Sequence, residues 1–456
     1  MRVAPIVLGG ALLLLVLVIV LIGPWPVVSG RRAIERPLER ALQEIVAERW
    51  SVGDGEALYA DWATVPIELP DGTPLAGYGD RRGAPATGHY DTLVVGAVVL
   101  GTPDETGRPA ARAAIIASDL LVVTPRIADR VRSSIDLPIL FNATHTHSGP
   151  GAAMPGLIGR AFGGRYQAKV EQAIIAAMVD ALRTASRLRP VTASYGVVEA
   201  SDLIRNRARN QSAEYPLVDP FLDLIRLEDA YGSGVTIVRY SAHATIIGSD
   251  NRRFSAGYPG FLRSALEAGS GDTAMFLAGA VGSMSPLPPE ASDDFRRARL
   301  YAELLAGRVA DEMVVSPLEV DVLAIVDTSP LAPPLQLRIA PRLRVSPVFL
   351  ALNGIRRPAR ITAVRLGSLV LIGFPGDLSG EIGADLRRWG AKRDTVLVPM
   401  SFSGAYLGYI SPDAYYGDLR DGAGLAYETG IMSWTGPGQE RFFVTLAQAA
   451  VRALLP

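Results

Sequence analysis

The chain is 456 residues long with 49% hydrophobic residues, a formal net charge of -1, and Arg far outnumbering Lys. That length accommodates one large or two ordinary domains, and the near-neutral charge argues against a nucleic-acid binder, which would carry a basic excess. Cysteine is absent, so disulfides and thiolate chemistry are excluded, and any metal must be held by His, Asp, Glu, Tyr or backbone oxygen.

Residues Val3 to Ile22 are uncharged and almost wholly aliphatic, preceded by Arg2 and followed by Gly23-Pro24-Trp25-Pro26. A run of about 20 such residues suffices to span a bilayer, so 1–30 is predicted to be a membrane anchor or a signal segment, with the remainder outside the cytoplasm as an anchored or secreted body. Arg31, Arg32 and Arg36 fit the positive-inside rule poorly for an exported body. A linker follows over 31–61, with an amphipathic helix predicted from Pro37 to Arg49 whose Leu38, Leu42, Ile45 and Val46 share a face.

From Trp62 to the C-terminus, apolar runs alternate with helical patterns. Strands are predicted at Val94–Leu100, Ala113–Ala117, Pro138–Ala143, Val235–Tyr240, Ala274–Ala280, Leu369–Phe374 and Thr395–Met400. Helices are predicted at Ala128–Ser134, Tyr166–Arg187, Pro259–Glu267, Asp294–Met313, Leu378–Trp389 and Glu440–Leu455, and Gly367-Ser368 reads as a hairpin turn. These give an α/β fold, a mixed sheet with flanking helices, with the domain over 62–456.

Two of the four histidines lie in Thr144-His145-Thr146-His147-Ser148-Gly149-Pro150-Gly151, after an apolar strand. Alternation along a strand would project both imidazoles to one side, as a metal site requires; two hydrogen-bonded structural histidines are the plain alternative. The other unusual residues also follow strands. His243 comes after Val-Arg-Tyr, Ser285 after Met-Phe-Leu-Ala, Asp377 after Leu-Ile-Gly-Phe, and Tyr406 and Tyr409 after Leu-Val-Pro-Met. Ligands of open α/β sheets bind outside the carboxyl ends of strands, so the active site is expected there.

The order and wording of these islands resemble the neutral/alkaline, non-lysosomal ceramidase family, catalytic domain only, from about Trp62 onward. Pro74-Leu75-Ala76-Gly77-Tyr78-Gly79 matches its opening strand and turn. The resemblance implies Zn2+ bound by His145, His243, Asp377 and Tyr409; the family has Glu, in Pro-Gly-Glu, where this chain has Asp377. It implies Ser285 as the reactive serine, His147 as the proton carrier, and Arg207 and Tyr427 as groups that orient substrate or stabilise the oxyanion. The family's Gly-Asp-Val-Ser-Pro is Gly282-Ser283-Met284-Ser285-Pro286 here, so an acid is lost beside the serine. Family members generally continue into an immunoglobulin-like domain, whereas this sequence ends at Pro456.

The implied activity is hydrolysis of the amide of a ceramide-like N-acyl lipid to a fatty acid and an amine base, with a membrane surface as partner. Another acylamide or ester on the same scaffold, or metal or lipid binding without turnover, are the alternatives; the Ser283 and Asp377 departures suggest the last. Between Leu331 and Gly376 no acidic residue occurs, while Arg338, Arg342, Arg344, Arg356, Arg357, Arg360 and Arg365 interleave with apolar residues. Such a stretch suits either anionic headgroups or solvated strands and loops.

Overall fold

The computed structural model describes residues 3–28, 31–52, 57–207, 219–340, 342–353, 355, 357–420 and 427–456. Two mixed sheets stack face to face between two layers of helices, which settles the α/β class with two sheets where one was expected. The larger sheet has nine strands, and its main path runs from Thr273–Ala278 through Gly234–Tyr240, Phe221–Asp229, Arg189–Glu199, Leu58–Pro66, Val94–Pro103 and Pro109–Ser118 to Ile139–Ala143. The five-stranded sheet orders Ala47–Ser51, Val322–Thr328, Ile361–Leu366, Leu369–Gly373 and Val396–Met400.

Period-two alternation explains the layering, because each sheet is apolar on both faces. Val98, Leu100, Ile115 and Ala117 point between the sheets, where they meet Leu369, Leu371, Val364 and Leu366. Their neighbours Val99, Ala114 and Ile116 turn outward to the helices Ala168–Thr184 and Gly257–Ser270. On the second sheet Val370 and Ile372 turn outward to the helices Gly380–Ala391 and Gln439–Leu454. The helix predicted at Tyr166–Arg187 forms over Ala168–Thr184, with Val170, Ile174, Met178 and Leu182 buried as their spacing implied.

The segment read as a linker is integral to the body. Its helix spans Arg31–Gln43, not Pro37–Arg49, and buries Ile34, Leu38 and Ala41 in the core shared with the C-terminal helix. Residues Ala47–Ser51 then pair antiparallel with Val322–Thr328 as an edge strand. In this strand Ala47 and Trp50 are half-buried, while Glu48 and Arg49 are exposed.

Among the described residues no helix is long and apolar enough to cross a membrane. The N-terminal apolar run does form a helix, Val3–Leu21. Several arginines of the acid-free stretch are engaged by the fold: Arg338 and Arg344 are buried, Arg360 faces Asp129 and Asp327, and Arg365 donates to the Leu454 carbonyl at 2.6 Å. Arg357 donates to the Ala332 carbonyl at 3.4 Å, Arg342 is exposed, and Arg356 lies outside the described residues.

The carboxyl ends of six strands meet at one place. Gly234–Tyr240 and Thr273–Ala278 are parallel, as are Pro109–Ser118 with Ile139–Ala143 and Leu369–Gly373 with Val396–Met400. The Asn142 side chain stands between the two end strands of the large sheet. Its Nδ2 donates to the carbonyls of Ala278 (3.1 Å) and Ser401 (2.9 Å), and its Oδ1 accepts from the Ala278 amide (2.8 Å). One buried amide thereby joins three strand ends beneath the histidines.

Candidate active site

The strand Ile139–Ala143 ends before the histidines, so alternation along a strand does not bring them together. His145 instead adopts a left-handed conformation with φ 61°, which is uncommon for a residue with a Cβ. Its ring lies flat on Phe402, centroids 4.0 Å apart, and its Nδ1 lies 2.7 Å from the Leu121 carbonyl. His147 packs over Gly77, whose φ is 105°; a Cβ there would sit 2.8 Å from the imidazole, so only glycine permits the approach. Arg81 fixes this corner by donating to the carbonyls of Ala76 (2.9 Å), His147 and Gly248 (3.0 Å).

The three Nε2 atoms converge. His145 and His243 are 3.0 Å apart at Nε2, and His147 lies 3.3 Å from each. His243 directs its Nδ1 at the Val281 carbonyl, 3.2 Å away. A carbonyl accepts only from a protonated nitrogen, so His145 and His243 carry their protons on Nδ1 and present Nε2 lone pairs to each other. Burial pushes all three imidazoles below their usual range, His145 to about 3, which keeps them in the neutral, metal-binding form. Unshared lone pairs facing one another in a buried site repel; a cation between them removes the repulsion.

Asp377 joins them. Its Oδ1 lies 3.5 Å from His145 Nε2 and is buried without a hydrogen-bond partner among the described residues, while Oδ2 accepts from the Tyr406 hydroxyl at 2.8 Å. Desolvation raises its pKa to about 7. An orphaned carboxylate oxygen beside three convergent nitrogens fits a metal such as zinc, and His145, His147 and His243 could hold one.

Tyr409 is fixed beside Asp377 by a two-residue parallel ladder. Its hydroxyl accepts from Arg207 Nη2 at 2.8 Å, and Tyr427 meets its ring edge-on at 5.8 Å. One cavity is lined by His145, His147, Asp377, Tyr406, Tyr409 and Tyr427, among others. Ser285 and Arg207 stand outside that lining. Arg207 also donates to the Gly282 carbonyl (2.9 Å) and faces Glu428 (3.3 Å). Ser285 pairs with Arg205 in a short antiparallel ladder, one residue after Met284, whose carbonyl accepts from the His243 amide at 3.3 Å. The structure thus brings His145, Asp377, Tyr409 and Tyr427 to one cavity, sets His243 behind its wall against His145, and places Ser285 on the adjoining backbone.

Tyr406, noted from sequence beside Tyr409 but given no role there, orients Asp377. One contributor was not singled out from sequence. Glu381 is a fully internal carboxylate on the helix Gly380–Ala391 that accepts from Ser283 Oγ at 2.5 Å, and from Ser379, Asn206 and Tyr415. Ser283, which replaces an acid in the matched motif, therefore still sits on a carboxylate, supplied by a helix distant in sequence.

No family model and no curated protein matches the sequence. Among solved structures, the chain is similar to neutral ceramidase from Pseudomonas aeruginosa at 20% identity and TM-score 0.69, over 88% of this chain and 76% of that one. The chain has the neutral ceramidase fold. A second ceramidase structure, complexed with C2, agrees at 18% identity and TM-score 0.68, with the same coverage of both chains.

Proposed function

We propose that the protein is a zinc-dependent amidohydrolase of the ceramidase family, cleaving the amide of an N-acyl lipid to a fatty acid and an amine base, with its body outside the cytoplasm. The observation that carries this reading is the convergence of three imidazole Nε2 atoms beside the unpartnered Asp377 Oδ1, in a fold shared with neutral ceramidases.

His145, His243, Asp377 and Tyr409 would hold the metal, which supplies Lewis acidity at the amide carbonyl. The two histidines with Nδ1 committed to carbonyls are suited to be ligands. His147 Nδ1 has no such partner among the described residues, so its tautomer is not fixed and the ring is suited to carry a proton from the attacking hydroxyl to the leaving amine. Ser285 supplies that hydroxyl, the acyl group passes to its oxygen as the amine leaves, and water then hydrolyses the ester to release the fatty acid and restore the serine. Tyr427 faces the developing oxyanion, and Arg207 holds Tyr409 and the Gly282 turn in register. The cavity's apolar lining, including Ile158, Phe162, Met432 and Trp434, favours a hydrocarbon acyl group.

The test is metal content paired with hydrolysis of N-acylsphingosines by the purified full chain. One tightly bound zinc and turnover that vanishes in Ser285→Ala with zinc retained are expected. Near-normal turnover in that variant would remove the serine from the mechanism.

A further inference from the structure

The N-terminal helix Val3–Leu21 is aliphatic on every face, and its described side chains from Leu8 onward are exposed, Leu8 by 74%, Leu12 by 63% and Leu14 by 63%. A helix apolar all round belongs inside an apolar medium; a protein groove would cover one face and leave the others in water. Its end is fixed to the body. Ser346 Oγ donates to the Val20 carbonyl at 2.6 Å, the Ser346 amide to Ile22 at 2.9 Å, and Trp25 Nε1 to Ile19 at 2.7 Å, while Trp25–Pro26 pairs with Leu343–Arg344.

The same Ser346 caps the short helix Pro347–Leu352, which at six residues is about 9 Å long. Beyond its far end, Asn353 and Ile355 line a second cavity with Met154, Ile158, Tyr406 and Trp434. Those last four also line the cavity of the histidines, so the two spaces share a wall. Around this mouth Leu352 is 75% exposed and Leu157 55%, with Arg160 exposed on the same helix as Leu157 and Arg126 in the lining itself. Apolar side chains with arginines at their margin suit the boundary between acyl chains and phosphates.

We propose that this second cavity opens onto the surface of a lipid bilayer, so that an acyl chain passes from the membrane between Ile158 and Ile355 to the histidine cluster without entering water. This rests on the N-acyl lipid reading for the identity of the substrate, but the orientation follows from the helix and the mouth. It requires the N-terminal helix to be immersed in the apolar layer, not to cross it.

The absence of native cysteine permits a direct test on the full chain. Leu157→Cys, Leu352→Cys and Tyr231→Cys are labelled singly with a bimane and bound to phosphatidylcholine vesicles with and without brominated acyl chains. Tyr231, 95% exposed, lies in the turn before Gly234–Tyr240, at the end of the sheet away from the histidines. Quenching by bromolipid at 157 and 352 but not at 231 is expected. Unquenched 157 and 352 labels, equal quenching at 231, or a chain that does not co-float with vesicles would overturn the orientation.

A second arm separates this from the chemistry. Leu352→Glu is expected to lower hydrolysis of vesicle-embedded N-acylsphingosine by about tenfold or more while sparing a soluble short-chain amide. Equal loss on both substrates counts against membrane entry. If the unmutated chain hydrolyses neither, the amide reading fails, and the quenching pattern still decides the orientation.

Discussion

At the residue scale, the site separates side chains that bind from side chains that move protons. His145→Gln and His243→Gln should each lose bound metal, measured by elemental analysis, because each removes an Nε2 whose direction a carbonyl contact fixes. His147→Gln should retain metal and lose turnover by about a hundredfold or more, the span general acid–base catalysis supplies; metal lost from this variant would make His147 a ligand instead. Glu381→Gln places an amide donor among the groups that donate to this carboxylate, which should cost about 1–3 kcal/mol of stability. Its urea midpoint should fall, and turnover with it, since Ser283 lies two residues before Ser285. The candidate ligands were legible in the sequence because each follows an apolar strand in a recognisable order. Glu381 was not: a lone Glu early in a helix ordinarily reads as a solvated first-turn acid, and only the fold reveals four donors around it.

At the element scale, the strands around the site were legible from their apolar runs, and the Gly367-Ser368 hairpin from its turn residues, with Gly367 at φ 56°. Phe221–Asp229 was missed because Asp223 and Arg226 interrupt its apolar pattern, and Arg189–Glu199 because Pro190, Thr192, Ser194 and Gly196 leave it no continuous apolar run. Asp223 is used internally: it faces Arg239 at 3.4 Å and accepts from Tyr195 at 2.6 Å. The left-handed His145 was likewise invisible, since backbone conformation past a strand end depends on Phe402 and Leu121 from other segments. Asn142 gives the sharpest test of how the elements are held. Asn142→Leu would remove the partner of the Ala278 amide and one donor each from the Ser401 and Ala278 carbonyls, the latter still accepting from the Ser401 amide at 3.1 Å, costing about 1–3 kcal/mol. The denaturation midpoint should fall with an unchanged m-value, and metal affinity should fall too, because the strand ends leading to His145 and to Val281, whose carbonyl orients His243, lose the side chain that joins them.

At the scale of the whole molecule, the N-terminal helix and the layered body are joined through Ser346 and the Trp25–Pro26 ladder. Because Val28 donates to Gln336 at 2.6 Å, a cut within 23–30 would remove part of the body. Deleting residues 1–22 keeps that ladder. The shortened protein should leave vesicles in a flotation assay and still hydrolyse detergent-dispersed substrate at the full-chain rate. A folded, metal-loaded truncation without turnover would mean that the helix helps form the pocket.

The meeting of His145, His243 and Asp377 from segments nearly a hundred or more residues apart has a thermodynamic consequence. In the unfolded chain these donors are scattered, so a cation that binds them binds essentially the native state alone, and its chemical potential becomes a variable of folding. A thousandfold excess over the dissociation constant would add about 4 kcal/mol to the unfolding free energy. The melting temperature should therefore climb with the logarithm of free zinc and collapse on chelation, and the slope should flatten in His243→Gln. Calorimetry can thus read the occupancy of this centre before any substrate for it has been found.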